Sequence, residues 1–252
     1  MNNKNRKPLS RKIRSDLDKI LQTADAKRKY RWAIDLFEKY RKHYQFDDDL
    51  EYRLGLLYDH LVIFKISRKK DTKSKNLLSK KYLKKAQNIY QEIHRKNPEH
   101  FLALHGLRRI HEISGNYKQA IKFGIKAYEL TKKLPKTQRR ALAVGNIFYL
   151  KGDFKNAEKW FKKELVSLGE NNLSANANLL MFYNDMKAYK KALPYALKTE
   201  KLLRMELKKG IYKNLRTPRT NKTLELITAH INKAKFANKM GASSKPPGGT
   251  TS

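Results

Sequence analysis

The residues of this chain that are best suited to chemistry are its seven histidines and one run of three aspartates, because imidazoles and carboxylates bind metals and move protons. The chain has no cysteine, which excludes disulfides, thiolate nucleophiles and cysteine-ligated metals. No two histidines lie four residues apart, as zinc ligands on a helix do, and the sequence contains no HExxH motif and no Gly-rich phosphate loop. We therefore expect no enzyme, no cofactor and no metal site.

The aspartate run, Asp47 to Asp49, directly precedes an apolar stripe of helical period that starts at Leu50. Acidic side chains at a helix start accept hydrogen bonds from free backbone N–H groups and complement the positive end of the helix dipole. A metal site is the more specific interpretation, but the residues around the run show no recurring spacing of metal ligands. We therefore interpret these acids as helix caps.

The charge of the chain lies far outside the range of an ordinary soluble domain. Lys and Arg together number 58 against 23 Asp and Glu, which gives a formal net charge of +35 over 252 residues. Such a charge favours polyanionic partners such as RNA, DNA, anionic lipid or very acidic proteins. A compositional bias toward lysine stays open as the alternative.

The elements that position these residues follow from a repeat. An aromatic or large apolar residue stands three positions before an alanine five times, at the pairs Tyr30/Ala33, Leu83/Ala86, Tyr117/Ala120, Phe154/Ala157 and Tyr189/Ala192. The last four copies are 34, 37 and 35 residues apart, which is the period of a stacked helix pair. The first step is longer by about half a period, as an inserted loop would cause.

Two of these units also carry small and large residues at the spacings that a tight turn and close helix packing require. One unit combines Gly145, the turn Gly152-Asp153-Phe154, Ala157 and Phe161; the interrupted unit combines Gly55, Tyr58, Ala86, Tyr90 and Pro98. Glycine suits a tight turn between helices, and small residues let two helix backbones approach closely.

These residues resemble the tetratricopeptide repeat (TPR), and the resemblance spans about residues 14 to 206. It implies an all-α fold, a right-handed α-solenoid of about five TPR-like helix pairs plus a C-terminal capping helix. It also implies a non-enzymatic scaffold that holds a protein or peptide ligand in its concave groove. The last unit, with Tyr183, Tyr189, Ala192 and Ala196, matches the repeat less fully, because Lys187 occupies the turn position where glycine is usual.

Basic residues follow the repeat in three rows, which we call the lysine rows. A basic residue stands directly after the aromatic or apolar residue of each unit, and others follow four and eight residues later. The rows comprise Arg31, Lys84, Lys118, Lys155 and Lys190; then Lys122 and Lys159; then Lys39, Lys126, Lys163 and Lys198. A spacing of four places these charges on one exposed face of each second helix, where we expect them to bind polyanions.

Three further basic clusters flank the repeats: an N-terminal arm without acids, a lysine-rich insertion containing Lys69 and Lys70, and a C-terminal cluster containing Lys208 and Lys209. Lysine-rich segments neutralise phosphates without reading a base sequence. We predict a basic flexible arm at 1–13, a TPR-like α-solenoid at 14–206 with an inserted loop at about 66–80, a basic linker and capping helix at 207–240, and a disordered tail at 241–252. The capping helix itself is predicted to start at Thr223.

The first helices of the pairs supply the expected groove. We predict that its peptide-binding residues are Tyr52, His105, Arg109, Arg139, Asn146, Tyr149 and Asn184. Chaperone-binding TPR proteins hold a peptide carboxylate with a clamp of Lys, Asn and Arg, but Tyr52, Leu56 and Leu142 stand where polar clamp residues are expected. The resemblance therefore implies a general peptide groove.

The residues after the N-terminal basic arm contain no apolar stretch of a secretory signal, so we expect a cytoplasmic protein without a membrane span. The expected function is that of an adaptor whose groove binds a protein or peptide and whose basic exterior binds RNA or another polyanion. A primary RNA- or ribosome-binding protein without a peptide ligand is the alternative. Adsorption to a membrane surface through the same lysines is a third, weaker option.

Overall fold

The computed structural model describes residues 6–63, 72–131, 141–210 and 218–240. These residues form eleven α-helices and no strand, with one isolated bridge between Lys7 and Tyr44. The helices are α1 (Arg11–Lys27), α2 (Tyr30–His43), α3 (Asp48–Leu61), α4 (Thr72–Lys96), α5 (Phe101–Ile113), α6 (Tyr117–Thr131), α7 (Ala141–Leu150), α8 (Phe154–Leu168), α9 (Leu173–Asp185), α10 (Tyr189–Lys208) and α11 (Pro218–Lys239). The prediction of five helix pairs followed by one further helix is confirmed.

The turns inside three of the pairs share one backbone geometry. Gly115, Gly152 and Lys187 each adopt a positive φ, of 72°, 83° and 54° respectively. The next residue in each turn donates its N–H to the carbonyl oxygen of the residue five positions earlier. Asn116, for example, donates to His111 at 2.8 Å. Lys187 thus holds the left-handed conformation that glycine adopts without strain, which explains why glycine is usual there.

The chain divides into two compact units, residues 1–130 and 131–252. In the first unit, the core joins α1 to α5, and Phe123 of α6 packs against it. Its centre is the fully buried ring of Tyr90 on α4, which lies between Gly55 of α3 and Gly106 of α5. A Cβ at either glycine would lie 2.6 Å from a ring carbon, so both helices approach α4 as closely as they do only because these positions lack side chains.

The second unit also packs a helix glycine against an aromatic ring, and a single additional helix covers its end. A Cβ at Gly145 of α7 would lie 2.7 Å from the Phe161 ring of α8, and Ala157, which begins the core face of α8, is fully buried. The last helix, α11, packs against both α9 and α10 and contributes Ile227, Ile231 and Ala234 to the core. It therefore covers the apolar face of the last pair, as a capping helix must.

The prediction of a flexible N-terminal arm is wrong for its described part. The backbone of Lys7 accepts a hydrogen bond from Gln45 and donates one to His43, both at 2.9 Å, and Leu9 packs against the core. Helix α1 begins at Arg11, earlier than the repeat pattern indicated. One apolar side chain and two backbone bonds are enough to hold a basic segment in place; the first five residues lie outside the described ranges.

The prediction of an inserted loop at about 66–80 is also wrong in its second half, because α4 already begins at Thr72. Lysine and leucine are strong helix formers, and Leu78 packs against the core, so the segment is helical without an apolar period. Residues 64–71, with Lys69 and Lys70, lie outside the described ranges.

The capping helix begins at Pro218, five residues before its predicted start at Thr223. Proline is favourable in the first turn of a helix, because its fixed φ is helical and its missing N–H has no partner there. The predicted tail, 241–252, lies outside the described ranges. Within those ranges, no helix combines the length and the apolar composition needed to cross a membrane.

Candidate peptide groove and basic surface

Two of the predicted groove residues meet in a small cavity of the second unit. Asn146 and Tyr149 of α7 face α9 across a cavity of about 120 Å³. Its other lining residues are Phe161, Asn178, Met181, Phe182 and Asp185. We call this set the α7–α9 groove. Asn178, Met181, Phe182 and Asp185 escaped the sequence analysis, although their spacing of three, one and three residues places them on one helix face.

Close packing beneath the groove positions its polar side chains. The Tyr149 ring contacts the rings of Phe154 and Phe182 at centroid distances of 5.7 and 6.1 Å. The Tyr149 hydroxyl lies 3.4 Å from Oδ2 of Asp185 and donates to it. Burial raises the pKa of the Tyr149 phenol above its ordinary value, and the nearby Asp185 carboxylate adds a smaller effect in the same direction. The hydroxyl therefore keeps its proton and acts as a donor.

The chemistry of this groove is that of a hydrogen-bonding surface on an apolar floor. Two amides, a phenol and a carboxylate stand over Phe161 and Phe182, and Asn146 and Asp185 are exposed. Such groups can pair with the backbone or side chains of a peptide while its apolar side chain contacts the floor. Among the described residues, no three His, Asp or Glu side chains come together as a metal site would require.

The candidates of the first unit, His105 and Arg109, lie one turn apart on α5. The His105 ring stacks on Phe101 at a centroid distance of 6.3 Å and is half-buried. Nε of Arg109 lies 3.4 Å from Oδ2 of Asp59, whose side chain is fully buried. Arg109 is thus engaged with a core carboxylate.

Asp59 is an ionisable core residue that the sequence analysis missed. Both of its carboxyl oxygens lack a hydrogen bond within the described residues, and the nearby guanidinium groups of Arg109 and Arg108 offset its charge. Burial raises its pKa to about 6, against the lowering effect of those two cations. No feature of the sequence distinguishes this aspartate from the exposed ones, because its burial follows from tertiary packing.

Two groove predictions are wrong. Tyr52 is buried, with its ring 5.6 Å from that of Tyr90, so it belongs to the core of the first unit. Asn184 is fully buried beneath α11, where its amide nitrogen donates to the His230 carbonyl at 2.8 Å. Both lie on first helices as expected, but a neighbouring element covers them. Arg139 lies outside the described residues.

Most residues of the lysine rows in the described ranges are exposed. The exposed set comprises Arg31, Lys39, Lys84, Lys118, Lys122, Lys126, Lys155, Lys159 and Lys190, together with Lys208 and Lys209 of the C-terminal cluster. Lys163 and Lys198 are half-buried. The Lys163 ammonium lies over the Trp160 ring, 4.3 Å from its centroid, and therefore makes a cation–π contact within its own helix.

A cavity of the first unit, of about 440 Å³ between α2 and α4, was not foreseen. Tyr58 of α3 forms its floor, donates to Glu38 at 2.5 Å and accepts from Lys85 at 3.2 Å. Arg41 pairs with Glu51 at 2.7 Å on the same wall. Four of the charged lining residues, Glu38, Arg41, Glu51 and Lys85, are therefore held in contacts with one another or with Tyr58.

Comparisons with known proteins agree with this architecture. No protein-family model and no curated protein matches the chain. Among solved structures, a thermophilic TPR protein from Thermus thermophilus is similar with a TM-score of 0.55 and 15% identity, over 88% of this chain and 98% of that one. A MamA segment from Desulfovibrio magneticus is similar with a TM-score of 0.55 and 14% identity, over 76% of this chain and 96% of that one. The fold is TPR-like. In this TPR-like chain the polar residues of the α7–α9 groove lie on first helices, Phe161 of its floor lies on the second helix α8, and the lysine rows lie on second helices.

Proposed function

We propose that this chain is a non-enzymatic TPR-type adaptor. Its α7–α9 groove binds a protein or peptide segment, and its lysine rows bind RNA or another polyanion. The TPR-like fold supports a surface-presenting role, because helix repeats expose extended faces without building a catalytic centre. The alternative remains a primary RNA- or ribosome-binding protein that has no peptide ligand.

The observation that carries the peptide half of the proposal is the composition of the α7–α9 groove. Its exposed amide and carboxylate flank a phenol whose hydroxyl points to Asp185, above two aromatic rings. A peptide bound there would satisfy these groups and bury an apolar side chain. Each such hydrogen bond is worth about 0.5–1.5 kcal/mol, and more when one partner is charged.

The polyanion half rests on exposed positive charge that forms no ion pair with the described residues. Lys118 and Lys122 of α6 are exposed, as are Lys155 and Lys159 of α8, and none of the four enters an ion pair with the described residues. Like charges four residues apart destabilise a helix slightly, by about 0.2–0.5 kcal/mol per pair. This placement therefore costs stability and is best explained by an external anion.

The groove is tested by selecting peptides from a displayed library on the immobilised full-length protein. The selected peptides are then measured against the double variant Asn146→Ala/Asp185→Asn by fluorescence anisotropy. We expect about a tenfold or greater loss of affinity, which corresponds to about 1.4 kcal/mol. The matched control is Lys118→Glu/Lys122→Glu, which should bind the same peptides as the parent protein does.

The basic surface is tested with single-stranded and duplex RNA at increasing salt. If six to ten phosphates are contacted, affinity should fall by roughly three to five decades between 50 and 200 mM salt. Reversal of Lys118, Lys122, Lys155 and Lys159 to Glu should weaken binding similarly across RNA sequences, because phosphate contacts carry little sequence information. If the folded reversal variant binds RNA as the parent does, these lysines form an idle solvated face.

A further inference from the structure

The last helix pair presents an apolar stripe on the side of α10 that faces away from the core. At 20 residues, α10 is longer than α8, which has 15. Leu197 and Met205 expose 51% and 44% of their surface on the side of α10 away from the buried Ala192 and Leu203, whereas Leu207, which exposes 48%, lies one turn after Leu203 at the edge of that side. Large apolar side chains grouped on one exposed helix face mark an interaction surface more often than isolated ones do.

Positive charge surrounds this stripe. A shallow groove of about 590 Å³ is lined by Leu197, Glu200, Lys201, Arg204, Met205, Leu207 and Lys208, which we call the α10 face. Its single acid, Glu200, is neutralised by Lys235 of α11 at 2.5 Å and by Arg204 at 3.0 Å. Lys201 and Lys208 enter no ion pair with the described residues.

We propose that the α10 face docks an acidic amphipathic helix of a partner protein. The partner would place leucine-like side chains against Leu197 and Met205, with Leu207 at the edge of the contact, and its carboxylates would meet Lys201 and Lys208. From Leu197 to Lys208 the face extends over 11 residue steps, or about 16 Å, which matches three turns of a docked helix.

The combination of apolar and basic residues selects this occupant. RNA phosphates would pair with the lysines but would leave Leu197, Met205 and Leu207 in water, so they would gain nothing from the apolar stripe. An acidic helix with an apolar face complements both parts at once, and the charges would also favour it over a basic helix. The α10 face shares no residue with the α7–α9 groove, so this inference does not depend on peptide binding in that groove.

The test uses a fluorescein-labelled synthetic peptide of 18 residues with a leucine face and a glutamate face, and a second peptide with lysine in place of glutamate. Anisotropy is measured with the full-length protein at 100 mM salt. We expect the acidic peptide to bind with micromolar affinity and the basic peptide to bind at least tenfold more weakly. Leu197→Glu/Met205→Glu and Lys201→Glu/Lys208→Glu should each weaken binding of the acidic peptide about tenfold or more.

The control variant Lys27→Glu/Lys42→Glu reverses the same number of exposed charges outside both the α10 face and the lysine rows, and it should leave binding of this peptide unchanged within about twofold. Circular dichroism checks that each variant is folded. Binding that survives Leu197→Glu/Met205→Glu in the folded protein overturns the proposal, as does equal affinity for both peptides. It is also overturned if the acidic peptide does not bind while phosphatidylglycerol vesicles or poly(U) bind and lose affinity in the Leu197→Glu/Met205→Glu variant.

Discussion

Replacing Gly106 with alanine should destabilise the first unit, although alanine is the better helix former. Gly106 lies on α5 against the ring of Tyr90, and a Cβ there would lie 2.6 Å from two ring carbons. Carbon atoms in favourable contact are about 3.5–4.0 Å apart, so the ring or the helix must move by about 1 Å. The ring cannot retreat freely, because a Cβ at Gly55 on its other side would also lie 2.6 Å away.

The size of the effect follows from two opposing contributions. Alanine gains about 1 kcal/mol over glycine in a helix interior. Overpacking of a well-packed core costs about 1–3 kcal/mol, and the fully buried Tyr90 ring, with Gly55 at one edge and Gly106 at the other, places this site at the upper end. We therefore expect Gly106→Ala to lower the free energy of unfolding by about 2 kcal/mol.

Urea denaturation followed by the fluorescence of Trp32 measures this change. The chain has two tryptophans, and only Trp32 lies in the first unit, so a Trp160→Phe background isolates its signal. The double variant Gly55→Ala/Gly106→Ala should lose more than the sum of the single changes, by about 1 kcal/mol, because the ring then has no side to shift toward.

Tyr90→Leu provides the matched control. In that background the added methyl group at Gly106 meets a smaller side chain, so Gly106→Ala should cost little or should stabilise. If Gly106→Ala stabilises the parent protein by about the propensity gain alone, α5 moves away from α4 without cost and the close-packing argument is refuted.

Three further changes test single features of the two units. Burial raises the pKa of Asp59 to about 6, above about 3.9 in the unfolded chain, so its protonated form stabilises the fold below about pH 4 and this stability is lost as pH rises through about 6. In urea denaturation, Asp59→Asn should therefore raise the free energy of unfolding above that of the parent by up to about 3 kcal/mol at pH 7, and by little at pH 4. An equal effect at both pH values would contradict this. Lys187→Gly should stabilise the second unit by about 1 kcal/mol, because Lys187 has a positive φ of 54°, and an unchanged melting temperature would show that the turn is unstrained. Asn184→Ala should lower the free energy of unfolding of the second unit by about 1–2 kcal/mol through its lost bond to the His230 carbonyl, and an unchanged urea midpoint would contradict this.

Much of the fold could be predicted from the sequence because close helix approach restricts residue types. Gly55, Tyr90, Gly145 and Phe161 stand at spacings that a stacked helix pair requires, and the structure shows each glycine against its partner ring. The turn position of Lys187 was also located, since its neighbours keep the repeat period. Helix ends were less predictable, because Leu9 and Leu78 hold basic segments in place through tertiary contacts that leave no period in the sequence.

The candidate groove was predictable only in part. Asn146 and Tyr149 lie on the open side of α7 and line the cavity, whereas Tyr52 and Asn184 occupy first helices but are covered by α4 and α11. Helical spacing identifies the face of a helix, but the element packed on that face depends on the whole fold. Burial of Asp59 escaped prediction for the same reason.

The measurement that tests the adaptor proposal most directly is simultaneous binding. A peptide selected on the α7–α9 groove is titrated by anisotropy into the full-length protein with and without saturating poly(U) RNA, at a salt concentration where both bind. We expect a ternary complex in which the affinity for the peptide changes by no more than about twofold, because the exposed groups of the groove, Asn146 and Asp185, lie on α7 and α9, whereas the lysine rows lie on second helices. Displacement of the peptide by RNA, or RNA binding with no peptide that depends on Asn146 and Asp185, would contradict it and favour a primary RNA-binding protein.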